Sequence, residues 1–127
     1  MKLIDMNGNE VRANVSASNF PIRGESSKSM IQQNAGKILV SKYSLYTILE
    51  EWPIPGSKLT IDFFIPQLRI AVEVDGSQHK KFNKFFHGTI ENFRKQKERD
   101  ARKKSWCEMN NIDLYSVTDL EQLEELL

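Results

Sequence analysis

Short hydrophobic runs, each ended by proline or glycine, dominate the middle of the chain. Residues 45–52, 58–65 and 69–75 carry apolar and β-branched side chains over the length of a strand, and Pro53, Pro66 or Gly76 follows each run. Because the connections between the runs are short, we predict three strands in an antiparallel meander.

The segment before these strands, residues 26–42, predicts a helix. It opens with serines that can cap a helix, and apolar residues such as Ala35 and Leu39 follow at helical spacing. Gly36 costs such a helix about 1 kcal/mol relative to alanine. We therefore expect Gly36 to mark a place where the helix packs closely against the sheet.

A longer helix is predicted over residues 89–110, after the strands. Phe93, Asp100 and Cys107 recur at seven-residue spacing and so share one face of this helix. Asp100 is then directed toward the sheet and needs a partner, either a lysine or arginine or an active-site histidine. The remaining predicted elements are a fourth strand over residues 112–117 and a short acidic helix over residues 118–127, capped by Thr118.

The N-terminal residues predict a β-hairpin. Residues 1–15 form two short β-prone runs around Asn7 and Gly8, a pair that favours a tight hairpin turn, and residues 16–24 read as a connecting loop. We divide the chain into a hairpin and linker over 1–24 and a core domain over 25–127. The core order αβββαβ predicts an α/β fold with a mixed sheet flanked by helices.

Length and composition limit the class of protein. A chain of 127 residues with 39% hydrophobic residues can build one core. No stretch approaches the about 18 apolar residues of a membrane span, and no signal peptide is visible, so we expect an intracellular protein without a membrane partner. Cys107 is the only cysteine, which excludes a disulfide framework and a zinc finger.

Positive charge is concentrated in one segment, although the net charge of the chain is only +1. Residues 80–104 hold ten Lys or Arg against three acids, a balance of +7, so the rest of the chain carries −6. A basic face of this kind can bind a phosphate backbone. Charge alone fits a solvated, salt-bridged helix equally well.

Carboxylates interrupt the apolar strands. Glu73 and Asp75 share one strand face, and Asp62 lies in the preceding strand. Carboxylates packed against an apolar sheet suffer desolvation and mutual repulsion unless a cation shares the site, so these three suggest a divalent metal. His79 follows Gly76, and a histidine, with an ordinary pKa of about 6.5, can act as a general base or acid.

The segment between the third strand and the long helix is rich in aromatic and basic residues. Phe82, Phe85 and Phe86 stand among lysines and two histidines. Such a mixture suits nucleic acid, because aromatic rings stack on bases while lysine binds phosphate. Alternatively, the phenylalanines fill the core.

Three blocks in order resemble a known nuclease family. Asp62-Phe63, the run from Ala71 to His79 (Ala-Val-Glu-Val-Asp-Gly-Ser-Gln-His) and Glu98-Arg-Asp-Ala-Arg-Lys-Lys are similar to motifs of the very-short-patch-repair-like branch of the PD-(D/E)XK nuclease superfamily. That branch includes the EDxHD homing endonucleases of phages and introns. The resemblance covers roughly residues 26–117 and implies a restriction-endonuclease-like αβββαβ core.

The resemblance also implies a role for each matching residue in a Mg²⁺-dependent phosphodiesterase, with Mn²⁺ as the alternative cofactor. Asp62 matches the central metal-binding carboxylate and Glu73 the carboxylate of the Glu-x-Lys pair. Asp75 stands where the wider superfamily has its lysine. His79 matches a histidine that assists the water or the scissile phosphate, and Asp100 an acid that orients this histidine. The implied metal ligands are Asp62, Glu73 and Asp75.

The chain departs from the family pattern on the first helix, where a glutamate is common. Gln32 and Gln33 occupy the best-placed positions, Glu25 lies too early, and Glu51 at the end of the first strand could supply the carboxylate instead. Gln78 is either a water-positioning group or a turn residue.

We therefore expect a DNA endonuclease of the homing or nicking type, acting on double-stranded DNA inside a cell, such as a phage-infected host. A mismatch-repair nickase or junction resolvase of the same fold is one alternative, and a DNA-binding module without catalysis is another. A chain this small would need a dimer to cut a long site symmetrically. The residues expected to contact DNA are Lys80, Lys81, Lys84, Arg94, Lys95, Arg99, Arg102 and Lys103.

Overall fold

The structure is a computed structural model, and it describes residues 1–75 and 88–126. Six strands and three helices of more than one turn are formed in these residues. In chain order they are β1 (Lys2–Ile4), β2 (Glu10–Arg12), α1 (Met30–Lys42), β3 (Leu49–Pro53), β4 (Thr60–Ile65), β5 (Ile70–Val74), α2 (Ile90–Met109), β6 (Asp113–Val117) and α3 (Leu120–Glu125).

The main sheet has four strands in the order β3-β4-β5-β6. The pairs β3/β4 and β4/β5 are antiparallel, whereas β5 and β6 are parallel because α2 crosses over between them. The predicted α/β class, the mixed sheet flanked by helices, the antiparallel meander and the N-terminal hairpin are confirmed. No helix within residues 1–75 and 88–126 combines the length and apolar character needed to cross a bilayer.

Several element boundaries differ from the prediction for local reasons. Helix α1 begins at Met30, after its cap Ser29, rather than at residue 26, because residues 24–26 form a separate 3₁₀ turn. The first strand of the meander begins at Leu49 rather than at residue 45, because Leu45 lies in the turn after α1 and is 93% exposed. The last helix is capped by Asp119 rather than Thr118. Asp119 accepts from the backbone of the first turn while Gln122 reaches back to it, so the two form a capping box.

The sheet carries an apolar cluster on each side. Ala35 and Leu39 of α1 and Leu123 of α3 pack with Phe63 and Val72 on one side. Trp106 and Cys107 of α2 pack with Leu3, Trp52 and Phe64 on the other. Gly36 lies against the sheet as expected, since a side-chain carbon there would be 3.4 Å from the ring of Phe63.

The hairpin β1–β2 is held against α2 by partly buried polar contacts. Ile4 N donates to Asn110 Oδ1 at 2.7 Å, and Ile4 O accepts from Asn110 Nδ2 at 3.0 Å and from Trp106 Nε1 at 2.7 Å. The Asn110 side chain thus makes the two backbone hydrogen bonds with Ile4 that a neighbouring strand would make. Leu3 fills the core beneath this contact.

Asn110→Ala should lower the free energy of unfolding by about 2 kcal/mol, because it leaves two backbone groups of Ile4 with fewer partners in a mostly buried site. Urea unfolding measures this change. Ser105→Ala, on the exposed side of the same helix, is the matched control and should stay within about 0.5 kcal/mol of wild type. A loss at Asn110 no larger than the control's would show that the hairpin does not depend on this contact.

Candidate functional site

Three carboxylates form a row across three neighbouring strands, and we call Glu51, Asp62 and Glu73 the acidic row. The pairs Glu50 with Phe63 and Trp52 with Ile61 set Glu51 opposite Asp62. The pair Phe63 with Val72 sets Asp62 opposite Glu73 in the same way. The structure therefore brings together Asp62, Glu73 and the alternative candidate Glu51, each from its own strand.

Asp62 and Glu73 are each fixed by the backbone of the other strand. Val74 N donates to Asp62 Oδ2 at 2.8 Å, and Asp62 N donates to Glu73 Oε2 at 3.1 Å. These side-chain bonds take over where the backbone ladder ends at Phe63 and Val72. Asp62 is 4% exposed and Glu73 is 6% exposed. The two carboxylates are thus held rigidly in a poorly solvated position.

Two lysines supply positive charge to the acidic row. Lys28 Nζ lies 2.9 Å from Asp62 Oδ1 and 3.3 Å from Glu51 Oε1. Lys103 of α2 pairs with Glu73 Oε1. Lys103 was predicted to contact DNA, but its side chain is turned inward to this pair. Different lysines therefore contact Asp62 and Glu73.

Burial and charge shift the titration of these groups. Burial and then the nearby charge of Asp62 raise the pKa of Glu73 from 4.5 to about 8, and the pairing with Lys103 only partly offsets them. Burial lowers the pKa of Lys28, but Asp62 and Glu51 outweigh it and raise that pKa to about 12. Glu73 therefore ionises less readily in the fold than a glutamate in water does.

Glu51 reaches the row through an unusual backbone conformation. Its φ is +52°, in the left-handed region that residues other than glycine rarely adopt. Oε2 accepts from Thr60 Oγ1 at 3.0 Å, and Oε1 accepts from Gln32 Nε2 at 3.1 Å. Burial raises the pKa of Glu51, but the bond from Gln32, the charge of Lys28 and the bond from Thr60 together hold it below its usual value.

Gln32 connects the row to Glu50, a buried carboxylate that the sequence analysis does not identify as a site residue. Glu50 is 1% exposed and accepts from Gln32 Nε2 at 2.8 Å, Ser27 Oγ at 2.6 Å and Arg23 N at 2.8 Å. These bonds fasten the loop before α1 to strand β3. The other atom of the Gln32 amide, Oε1, is buried and accepts no hydrogen bond from any residue within 1–75 and 88–126. Gln33, the other candidate on this helix, is only partly buried.

A cleft of about 250 Å³ opens beside Glu73. It brings together three predicted site residues, Glu73, Asp75 and Asp100, with the lysines 97 and 103 of α2. The seven-residue periodicity of α2 accounts for this, because it turns Asp100 toward the sheet as predicted. The rest of the lining is Leu114, Ser116, Thr118 and Gln122.

Several predicted site residues lie outside the described residues. They are Gln78, His79, Lys80, Lys81 and Lys84, together with the aromatic residues 82, 85 and 86. The assignments of His79 as base and of Asp100 as the group that orients it remain predictions.

The row offers carboxylate oxygens, the kind of ligand that hard divalent cations prefer. Within the described part of the chain, no three His, Cys, Asp or Glu side chains converge as a group that could hold a metal. Mg²⁺, however, usually binds through one or two carboxylates and completes its shell with water and phosphate. Glu51 and Asp62, whose carboxylates share the ammonium of Lys28, supply two such ligands.

The outer surface of α2 is basic. Arg94, Lys95, Arg99 and Arg102 are exposed, while residues 93, 96, 100 and 103 are partly buried and line the inner face. Lys95 lies 3.6 Å from Glu91, a surface pair of small energetic value. The helix thus presents cations to solvent beside the strands that carry the acidic row.

The pH dependence of stability should change in Glu73→Gln. Between pH 4.5 and about 8 the folded protein keeps a proton on Glu73 that the unfolded chain has released. The contribution of Glu73 to the free energy of unfolding therefore falls as the pH rises through this window. As the pH is raised from 5 to 8, the free energy of unfolding of the variant should rise relative to that of wild type. Urea unfolding in a chelating buffer measures this difference. Glu108→Gln, at an exposed position of α2, is the control, and its free energy of unfolding relative to wild type should not change with pH. An equal difference at both pH values would contradict the raised pKa.

Comparison with known proteins identifies viral relatives without an assigned function. The chain is 38% identical over 74 residues to uncharacterized protein 033L of Invertebrate iridescent virus 3, covering 58% of this chain and 38% of that protein. It is 42% identical over 66 residues to uncharacterized protein 307L of Invertebrate iridescent virus 6, covering 49% and 34%. It is 36% identical over 74 residues to uncharacterized protein 094L of Frog virus 3, covering 54% and 48%.

The chain therefore spans less than half the length of each of these relatives. No family model matches the chain, and no solved structure matches it.

Proposed function

We propose that this chain is a Mg²⁺-dependent endonuclease that hydrolyses phosphodiester bonds in double-stranded DNA, as a homing or nicking enzyme. The observation that carries the proposal is the acidic row, with two of its three members buried, beside a helix that exposes six lysine and arginine side chains. Carboxylate oxygens suit Mg²⁺, and exposed arginine and lysine suit phosphate.

A contribution to folding stability does not explain why three carboxylates lie together in the acidic row. Moving carboxylates out of water costs several kcal/mol each, and ion pairs in protein interiors are often no more stabilising than well-packed apolar side chains. Glu73 illustrates the cost, because burial and Asp62 raise its pKa despite the pairing with Lys103. Groups that destabilise one another in this way are frequent at functional sites.

Each part of the site has a role in the proposed reaction. Mg²⁺, when bound, polarises the phosphoryl oxygen and lowers the pKa of a bound water. Asp62 would hold the cation together with a neighbour in the row, either Glu51 or Glu73. Lys97, at the cleft, would attract the phosphate. The proposed role of His79, implied by the resemblance, is to remove the proton from the attacking water, with Asp100 fixing its orientation.

The basic surface of α2 would bind the DNA backbone. Arg94, Lys95, Arg99 and Arg102 are exposed and can approach phosphates without breaking a buried contact. Contacts of this type position DNA without selecting its sequence. A dimer would be required to cut both strands symmetrically.

One observation favours a second candidate, a DNA-binding module without catalysis. Lys28 and Lys103 already contact Asp62 and Glu73. If these pairs persist in the presence of divalent cations, the row is a structural network, and the basic helix alone is functional.

Incubation with supercoiled plasmid distinguishes the two candidates. The endonuclease should convert the plasmid to nicked or linear DNA with Mg²⁺ or Mn²⁺ and leave it intact with a chelator. The balance of nicked and linear products then reports single-strand or double-strand cleavage. DNA binding in a gel-shift assay, without cleavage under either metal, would refute the endonuclease proposal in favour of the module.

A further inference from the structure

Lys28 occupies the space between two members of the acidic row. Its ammonium lies 2.9 Å from Asp62 Oδ1 and 3.3 Å from Glu51 Oε1. The two carboxylate oxygens therefore approach one positive centre from two adjacent strands. A small cation bound to both oxygens would have to take nearly the position of this ammonium.

The backbone on either side of Lys28 is anchored, whereas the Lys28 side chain can move into solvent. Glu50 fixes the preceding loop through Ser27 Oγ and Arg23 N, and Ser29 caps α1 by accepting from Gln32 N. The side chain of Lys28 itself is 56% exposed. It can swing into solvent without disturbing the packed core.

A buried amide beside this pair has an oxygen that accepts no hydrogen bond from the described residues. Gln32 is 1% exposed, and its Oε1 accepts no hydrogen bond within the described ranges. The same amide donates to Glu51 Oε1 at 3.1 Å, so the unsatisfied oxygen belongs to a group in direct contact with the row. Amide oxygens are ordinary ligands of hard divalent cations, whereas an unsatisfied buried acceptor is costly.

We propose that Lys28 is an internal counter-ion that competes with the divalent cation for Glu51 and Asp62. The cation and the ammonium exclude one another, and Lys28 holds the two carboxylates in place when the cation is absent. The proposal rests on the proposed function for the identity of the cation, but it concerns binding and can be measured without cleavage. Once released, the ammonium is free to contact a DNA phosphate.

Calorimetric titration of the whole chain with Mn²⁺ tests the competition. Lys28→Met removes the ammonium but keeps an unbranched side chain, so Mn²⁺ should bind about ten-fold or more tightly than to wild type. Lys28→Arg retains the charge and should show no such gain. Lys37→Met, at an exposed position of α1, removes an equal charge away from the row and should leave the affinity unchanged.

The outcomes separate this inference from the proposed function. Equal or weaker Mn²⁺ binding by Lys28→Met, or no binding by any variant, would overturn the competition whatever the plasmid assay shows. A ten-fold gain in Lys28→Met that is abolished by adding Glu51→Gln supports it. Tight Mn²⁺ binding without plasmid cleavage would leave the competition standing and refute the nuclease.

Discussion

Asp62→Asn is expected to slow the proposed Mg²⁺-dependent DNA cleavage about 100-fold or more. Loss of a group that merely supports a metal ligand already costs about 10-fold to 100-fold, and Asp62 is the member of the row that the other two flank. Asparagine has nearly the same shape and still offers an oxygen to Val74 N, which donates to Asp62 Oδ2 at 2.8 Å. The fold should therefore survive while the negative charge is lost.

The control for Asp62→Asn must remove one carboxylate elsewhere. Glu108→Gln does so at an exposed position on α2 and should cleave at the wild-type rate. Single-turnover rates on a plasmid substrate, with the circular dichroism of each variant, provide the comparison. If a folded Asp62→Asn variant cleaves at a rate within a few-fold of the wild-type rate, Asp62 is not a ligand of the proposed metal.

Glu50→Ala should lower the free energy of unfolding by about 3 kcal/mol. The substitution leaves Ser27 Oγ and Arg23 N without their acceptor and removes one of the two acceptors of Gln32 Nε2. It also opens a cavity where a 1% exposed side chain was packed. Each buried donor left unsatisfied costs about 1–3 kcal/mol, and part of this cost is recovered as the loop relaxes.

Glu25→Ala is the matched control for this change. Glu25 lies in the same loop, in the 3₁₀ turn Gly24–Ser26, but is exposed. We expect its effect on urea unfolding to stay within about 0.5 kcal/mol. A Glu50→Ala variant as stable as Glu25→Ala would mean that the loop before α1 is not fastened through Glu50.

The order of elements was predictable because the signals for it are local. Proline and glycine after each apolar run separate β3, β4 and β5, and Ser29 and Thr89 cap α1 and α2 by accepting from the third residue of each helix. The predicted start of β3 at residue 45 is wrong, because Leu45 is apolar yet exposed in a turn. Hydrophobicity alone does not distinguish such a residue from a buried strand residue.

Part of the candidate site was predictable, because the periodicity of the sequence determines which face of a strand or helix each residue occupies. Strand alternation placed Glu73 and Asp75 together, and the seven-residue repeat turned Asp100 toward them, so that all three line one cleft. The contacts of Glu51 with Gln32 depend on the left-handed backbone at Glu51, which no local pattern announces.

Lys28 could not be found from sequence for a related reason. It meets Asp62 across 34 positions of the chain. Its immediate neighbours are capping serines that suggest only a helix start. The tertiary structure alone brings it to the row.

Anomalous diffraction from crystals grown with Mn²⁺ tests the central claim most directly, because it locates the ion without relying on activity. We predict a manganese peak within coordination distance of Asp62 and of a second carboxylate of the acidic row, with the ammonium of Lys28 displaced from between Asp62 and Glu51. An absent peak, with Lys28 and Lys103 still paired to Asp62 and Glu73 in crystals saturated with Mn²⁺, would contradict a metal site and with it the nuclease.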